Sequence, residues 1–162
     1  MASAHGQAAS GRAIEEIARY VGALSILLVG AVHAQQYYGD YFAVVPTIGT
    51  LFLLSFVGSG VAGTVLLAPV RRLGRNVGDL ILVSAALGSI GIAVGSLASL
   101  LVSEYIPLFG FMESGYRLAV VLALVFDSLA TTFLGLFVLL VGPRLIQTIT
   151  TERRTRRDRT RG

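Results

Sequence analysis

The chain has 162 residues, of which 54% are hydrophobic and 14% are charged, and its formal net charge is +4. A soluble domain carries about 25% charged residues, so this composition excludes an ordinary water-exposed globular domain and favours a membrane protein. The absence of cysteine from the sequence excludes disulfides, thiolate metal sites and cysteine nucleophiles.

Four long apolar segments predict four membrane-spanning helices. About 20 apolar residues are enough, because the hydrocarbon core is about 30 Å thick and a helix rises about 1.5 Å per residue. The spans lie at residues 17–38, 47–70, 78–103 and 116–143. Their short connections force neighbouring helices to run antiparallel. The sequence therefore predicts an all-α fold, an integral membrane up-down four-helix bundle. The bundle covers residues 17–149, between a flexible cytoplasmic segment 1–16 and an Arg-rich cytoplasmic tail 150–162.

The first span also has features of a cleavable signal peptide. Arginines precede its apolar core, and the sequence VHA would place the cut after Ala34. The acidic Glu15 and Glu16 in the leader, and the second span that follows at once, argue against cleavage. We expect the first span to remain in the protein.

Near its outer end the first span carries two polar residues, His33 and Gln36, at helical spacing. In a helix bundle, an inward histidine is a candidate haem-proximal or other ligand-binding residue. A b-type haem usually takes two axial ligands, and no predicted span holds a second histidine. The alternative is a histidine that bonds water or a neighbouring helix. We predict no cofactor and keep haem b as the alternative.

The two predicted outer loops contain three acidic residues, Asp40, Glu104 and Glu113. Together with His33 and Gln36 they could form a shallow cation site on the outer face. Their spacing matches no metal-binding motif, so we predict no metal site.

Small residues recur in the second and third spans, at Gly60 and Gly63 and then at Gly91, Gly95 and Ser99. Because lipid gives helices no hydrophobic reason to associate, such residues commonly mark places where two helices approach closely. We expect these residues to pack within the bundle; a face between two copies of the chain is the alternative.

Asp127 is the acidic residue that lies deepest in a predicted span. Thr131 follows it by one helical turn and Ser128 is adjacent to it. An aspartate near the bilayer centre costs roughly 2.5–3.5 kcal/mol on insertion scales, so such residues usually face the bundle interior. Without a nearby cation, burial favours the neutral form. Two interpretations remain open: a proton- or cation-binding site, or a neutral acid that fixes helix register.

Arginine placement predicts the orientation. Twelve of the 13 arginines flank the same ends of the spans, and Arg117 alone lies on the other side. The positive-inside rule then puts both termini in the cytoplasm. Arginine without lysine is typical of a high-GC bacterial genome, so we predict the bacterial inner membrane. The tail should contact anionic headgroups, at about 1 kcal/mol per arginine, through Arg153, Arg154, Arg156 and Arg157. Nucleic-acid binding is not expected from so short a tail.

The stretch from His33 through VPTIGTLFLL resembles a pattern in small four-span membrane proteins of actinobacteria. In those proteins a histidine near the end of the first span precedes a tyrosine-rich turn and a Pro-Thr-x-Gly-x-Leu-Phe start to the second. The residues that match here are His33, Tyr37, Tyr38, Pro46, Thr47, Gly49, Leu51 and Phe52. The match covers about a quarter of the chain, and it implies membrane location but no activity.

These features predict a non-enzymatic accessory or interaction subunit of a membrane complex, with a membrane-protein partner or a second copy of the chain. No phosphate-binding loop or catalytic triad is recognisable in the sequence. Two alternatives stay open. One is a small ion- or proton-linked transport protein that uses Asp127, and the other is a haem- or quinone-associated redox subunit that uses His33.

Overall fold

The computed structural model describes residues 2–39, 46–103, 105–106 and 117–159, with side chains for 10–39, 47–103, 105–106 and 117–151. Four helices account for nearly all of this chain. They are α1 (Ala2–Gly39), α2 (Pro46–Leu67), α3 (Arg75–Ser103) and α4 (Leu118–Arg159), and a short 3₁₀ turn, Val70–Leu73, precedes α3.

The helices form an up-down bundle in which each helix packs against its neighbours in the order α1, α2, α3, α4 and back to α1. The α2–α3 pair packs least extensively of the four. The predicted all-α four-helix bundle is thereby confirmed. We use the name terminal end for the end of the bundle where α1 begins, where the 3₁₀ turn lies and where α4 finishes. The opposite end, where α1 and α3 finish, is the connection end.

Local chemistry sets the helix bounds at the terminal end. Helix α2 stops at Leu67, two residues before Pro69, because the residue before a proline is driven out of helical geometry. Gly74, at φ 112°, then adopts a left-handed conformation that only glycine takes easily, and the chain reverses into α3. At the connection end, α2 begins with Pro46, which suits the first helical turn because its missing N–H would be unpaired there anyway.

Two helices extend past the predicted spans at the terminal end. Helix α1 already begins at Ala2, so most of segment 1–16 is helical, while its flexibility stays a prediction. Helix α4 continues through Pro143 to Arg159. Proline within a spanning helix is tolerated where neighbouring groups satisfy the freed carbonyl. The first residues of the Arg-rich tail therefore prolong α4.

The outer surface of the bundle suits a lipid environment. All four helices contain a segment long and apolar enough to cross a membrane. Large apolar side chains point outward, including Leu54, which is 62% exposed, and Leu139, which is 74% exposed. Contiguous apolar surface of this kind marks contact with another apolar phase, so the chain is a small multi-pass membrane protein.

Five fully buried apolar side chains form a dense layer between the bundle middle and the terminal end. We call this the apolar layer; its members are Ile26, Leu66, Leu82, Leu134 and Phe137. Close approach of α1 to its neighbours holds it together. A Cβ added at Gly63 would lie 2.6 Å from the Leu27 Cγ, so α2 reaches α1 there because glycine has no side chain. Gly63 therefore lies at a point of close approach between α1 and α2.

We predict that Gly63→Ala destabilises the bundle whereas Gly60→Ala does not. The added methyl at residue 63 collides with Leu27, and overpacking of this kind costs about 1–3 kcal/mol. A Cβ at residue 60 on the same helix meets nothing within 4 Å, so its effect should be neutral. Thermal unfolding followed by circular dichroism in detergent micelles measures both. Equal midpoints for the two variants would show that α1 and α2 do not approach at Gly63.

Candidate functional site

A cavity of about 340 Å³ lies in the half of the bundle nearer the connection end. All four helices line it, and its wall is mainly aliphatic with a set of hydroxyl, amide and imidazole groups. The polar side chains on the wall are His33 and Gln36 from α1, Ser55 from α2, and Ser96, Ser99 and Ser103 from α3. Cavities of this size and composition are typical of small-molecule sites, which combine an apolar wall with a few placed polar groups.

The cavity reaches the bundle surface between α2 and α3. Leu51 on α2 and Gly91, Gly95 and Ser99 on α3 all line the cavity and are all exposed. This is the pair of helices that packs least extensively. In a bilayer such an opening faces lipid tails, so a molecule dissolved in the membrane can reach the cavity from the side.

The glycines of α3 form the wall of this opening. A Cβ at Gly91 or Gly95 would meet nothing within 4 Å, and the same holds for Gly60 on α2. The close packing within the bundle that the sequence predicted for these three glycines is therefore not found in the described part of the chain. At Gly91 and Gly95, which line the cavity, the physical reason is that α2 and α3 diverge, so glycine leaves space instead of closing a contact. Gly60 is not among the residues that line the cavity.

Gln36 presents an unsatisfied amide to the cavity. Its side chain is only 8% exposed, and its Oε1 has no hydrogen-bond partner among the described residues. A buried acceptor left without a donor costs about 1–3 kcal/mol. A ligand with a hydroxyl or amine group would recover that free energy.

His33 presents a second acceptor on the same wall. Its Nδ1 lies 2.8 Å from the Val29 carbonyl oxygen one turn earlier on α1, so the neutral ring donates from Nδ1. Nε2 is then an acceptor. The ring also packs edge-on against Phe52 of α2, with centroids 5.4 Å apart, which fixes its orientation. His33 and Gln36, which the sequence predicted as a ligand-binding pair, thus share one cavity.

Asp127 lies deeper in the bundle and is completely buried. Neither carboxyl oxygen has a hydrogen-bond partner among the described residues, and the hydroxyl of Thr131, one turn away, is also unpartnered. The Ser96 hydroxyl of α3, which itself lines the cavity, is close enough to act on the carboxyl. Ser128, predicted to join this site, is exposed, because adjacent helix positions point about 100° apart.

Several predicted site residues lie outside the described part of the chain. They are Asp40, Glu104 and Glu113 in the two connections, and the side chains of Arg153, Arg154, Arg156 and Arg157 at the end of α4. Their roles in cation and lipid binding stay predictions. In the ranges whose side chains are described, no group of three His, Asp or Glu residues could hold a metal ion.

A partly buried ion-pair network closes the terminal end. Arg71 is its centre: Nη1 lies 2.7 Å from Glu16 Oε1, Nε lies 2.6 Å from Asp79 Oδ1, and Nη2 bonds Glu15. Arg144 Nη1 joins from α4, 3.2 Å from Glu15 Oε2. One guanidinium thereby ties α1 to the start of α3, and a shared glutamate extends the network to α4.

Close backbone packing between α3 and the 3₁₀ turn places Arg71 at the centre of the network. A Cβ at Gly78 would lie 2.6 Å from the Arg71 Cα, so the first turn of α3 can rest on the 3₁₀ turn only because residue 78 is glycine. Partial burial alone would lower the pKa of Arg71, but hydrogen bonds to Asp79 and Glu15 and the charges of both acids raise it above its ordinary value. The central cation of the network therefore stays charged over the whole working pH range.

Sequence reasoning missed this network. It interpreted Arg71 and Arg144 only as markers of orientation and the paired glutamates only as an argument against a signal peptide. The signal was present, because Glu15, Glu16 and Asp79 fall among the arginines on the side where one end of each of the four spans was predicted to lie. Acids placed among arginines can pair with them, which indicates a structural role.

We predict that Arg71→Met lowers the free energy of unfolding by about 2–3 kcal/mol. That is below the full cost of breaking a buried pair, because the Arg71 side chain is 29% exposed. Arg72→Met is the matched control, since the neighbouring Arg72 is exposed, and it should change stability by about 0.5 kcal/mol or less. Thermal unfolding in micelles measures both. An Arg71 variant as stable as the Arg72 variant would contradict the network.

Comparison with known proteins adds no relative: no protein-family model, no curated protein and no solved structure matches the chain.

Proposed function

We propose that this small multi-pass membrane protein binds a membrane-dissolved amphipathic molecule in the cavity and acts as a non-enzymatic accessory protein. The observation that carries the proposal is the combination of a buried, unpartnered acceptor, Gln36 Oε1, and the neighbouring acceptor His33 Nε2 with an aliphatic wall that opens between α2 and α3. An apolar ligand alone would leave both acceptors without a donor. A purely polar ligand would gain nothing from the aliphatic wall.

The two acceptors define the chemistry of the ligand head group. Both require a hydrogen-bond donor, so a hydroxyl-bearing ring or alcohol fits better than a carbonyl compound. The serine hydroxyls can donate or accept a hydrogen bond, so they can bind a hydroxyl or a carbonyl group of the ligand. A hydroquinone with an isoprenoid tail combines such a head with a tail that can leave through the lateral opening. Of the haem-or-quinone alternatives, this geometry favours the quinol class.

Haem b is supported less well by the same wall. His33 is oriented as an axial ligand would be, with Nδ1 donating to a backbone carbonyl. The residues that line the cavity include no second histidine and no methionine. A haem here would need its other axial ligand from outside the described wall.

The partner proposals rest on different observations. A membrane-protein partner or a second copy of the chain is favoured by the small-residue wall of α3, which leaves room for a helix at Gly91 and Gly95. Contact with anionic lipid is favoured by the arginines at the end of α4. We also propose that the protein lies in the bacterial inner membrane with both termini in the cytoplasm. The resemblance to small actinobacterial membrane proteins is part of the same proposal.

Ion-linked transport through Asp127 is the second candidate. Its support is a fully buried carboxyl without a partner among the described residues. A conducting path would have to continue from Asp127 to the terminal end, and the fully buried apolar layer lies there. The single conformation described thus favours binding over conduction.

We predict that Gly95→Leu abolishes ligand binding whereas Gly88→Leu does not. Residue 95 lines the cavity and residue 88 does not, and both are exposed positions on α3 with free space around an added Cβ. Titration of the purified protein with a short-chain prenyl hydroquinone measures the effect. Gln36→Leu should weaken binding about tenfold, which corresponds to about 1.4 kcal/mol for one lost hydrogen bond.

The oxidised quinone is the control ligand, because it has no donor for Gln36 or His33. It should bind more weakly than the hydroquinone. Equal affinity of the two forms would contradict the donor requirement, and binding that survives Gly95→Leu would contradict the cavity as the site. Circular dichroism of each variant shows whether the bundle has folded.

A further inference from the structure

Asp127 cannot be accommodated as an isolated carboxylate. It is completely buried, neither oxygen has a hydrogen-bond partner among the described residues, and no described cation pairs with it. The effective cost of an unpaired buried ion is several kcal/mol even after the surroundings relax. The site must therefore neutralise the charge with a proton or a bound cation.

The surrounding oxygens favour the proton. Besides its own carboxyl, Asp127 has the Thr131 hydroxyl one helical turn along α4 and the Ser96 hydroxyl of α3. That makes about four oxygens from the protein, fewer than the six to eight that hard cations such as Ca²⁺ collect. A neutral carboxylic acid needs only one acceptor for its proton, and the Ser96 hydroxyl can serve as one.

Access to the site differs between the two ends of the bundle. Towards the connection end, Ser96 belongs to the cavity wall, where Ser99, Ser103 and Gln36 continue a series of polar groups. Towards the terminal end, the apolar layer of Ile26, Leu66, Leu82, Leu134 and Phe137 contains no polar side chain and is fully buried. A proton can thus pass from the cavity by way of Ser96. Beyond Asp127, the buried hydroxyls of Ser25 and Ser89 already donate to carbonyl groups of their own helices. Along α3 and α4, the apolar side chains of Leu82, Leu134 and Phe137 then follow before the ion-pair network.

We propose that Asp127 is a proton-binding site, neutral in the resting protein, which exchanges its proton with the connection end alone. The site is separate from the ligand-binding surface formed by His33 and Gln36, so it does not depend on the identity of the ligand.

Few other groups could account for titration within the bundle. On α1, which packs against α4, the titratable side chains of the span are His33, the buried Arg19, which is paired with Glu16, and the tyrosines near the two ends, Tyr20, Tyr37 and Tyr38. Helix α3 has none from Leu80 to Ser103, and α2 has none from Pro46 to Leu67. Asp127 is the carboxyl group in the described middle of the bundle, and its signal can be isolated by substitution.

Infrared spectroscopy of the purified protein tests the protonation. At neutral pH the spectrum should contain the carbonyl band of a protonated carboxylic acid, which Asp127→Asn removes. Asp79→Asn is the matched control and should leave the band, because Asp79 is ion-paired with Arg71. Ser96→Ala should shift the band without removing it, whereas Ser99→Ala should not move it. A band unaffected by Asp127→Asn, or one that sodium ions remove at constant pH, would overturn the proposal.

Reconstituted vesicles test the sidedness. The chain contains no cysteine, so Arg72→Cys, in the exposed part of the 3₁₀ turn, and an impermeant thiol reagent report the fraction of molecules whose terminal end faces outward. When only the external medium is made alkaline, the Asp127 band should disappear in the remaining, unlabelled fraction. Loss of the band in the labelled fraction, or in all molecules, would overturn one-sided access.

Discussion

An apolar medium offers no partner to a polar atom, and this constraint organises the whole molecule. Backbone groups are satisfied within four helices, because lipid leaves no alternative. Side-chain polar groups then have to be paired with an opposite charge, neutralised, or left available to a ligand. The described part of the chain uses each of these solutions at a different depth: ion pairs at the terminal end, a neutral acid near the middle, and unpartnered acceptors in a cavity towards the connection end.

The ion-pair network and the apolar layer make one end of the bundle rigid and closed. Arg71 joins two helices through three carboxylates, and five fully buried apolar side chains pack beneath it. The other half is looser because α2 and α3 diverge, with small residues at Gly91 and Gly95 where larger side chains would fill the space. A bundle that is tightly packed at the terminal end and open at the cavity can bind a ligand while its helices stay packed together.

Much of the fold could be predicted from the sequence, because hydrophobic length and loop length are local properties. The inward placement of Asp127, His33 and Gln36 could also be predicted from the sequence, since polar side chains avoid lipid. The roles of Gly91 and Gly95 could not be predicted from it. A small-residue repeat is equally suited to close packing and to an open wall, and only the divergence of α2 from α3 decides between them. Ser128 was misplaced because proximity in sequence does not give a shared helix face.

The Arg71 network could not be predicted for a related reason. Its pairs join residues about 55 positions apart, from Glu15 and Glu16 to Arg71, and their contact depends on the bend at Gly74 and the close approach at Gly78. A count of charged residues gives the net charge on each side of the membrane but does not show which residues form pairs. The structure converts an apparent excess of positive charge into compensated pairs.

The central claim is that His33 keeps a free acceptor, Nε2, for a ligand with a donor group. Nitrogen NMR of the imidazole in ¹⁵N-labelled protein tests it most directly, and His5→Asn leaves His33 as the single histidine of the chain. The account predicts a neutral ring protonated at Nδ1, whose Nε2 resonance moves when a hydroquinone is added. A ring already protonated at Nε2 without ligand, or an Nε2 resonance that the hydroquinone leaves unchanged, would contradict it.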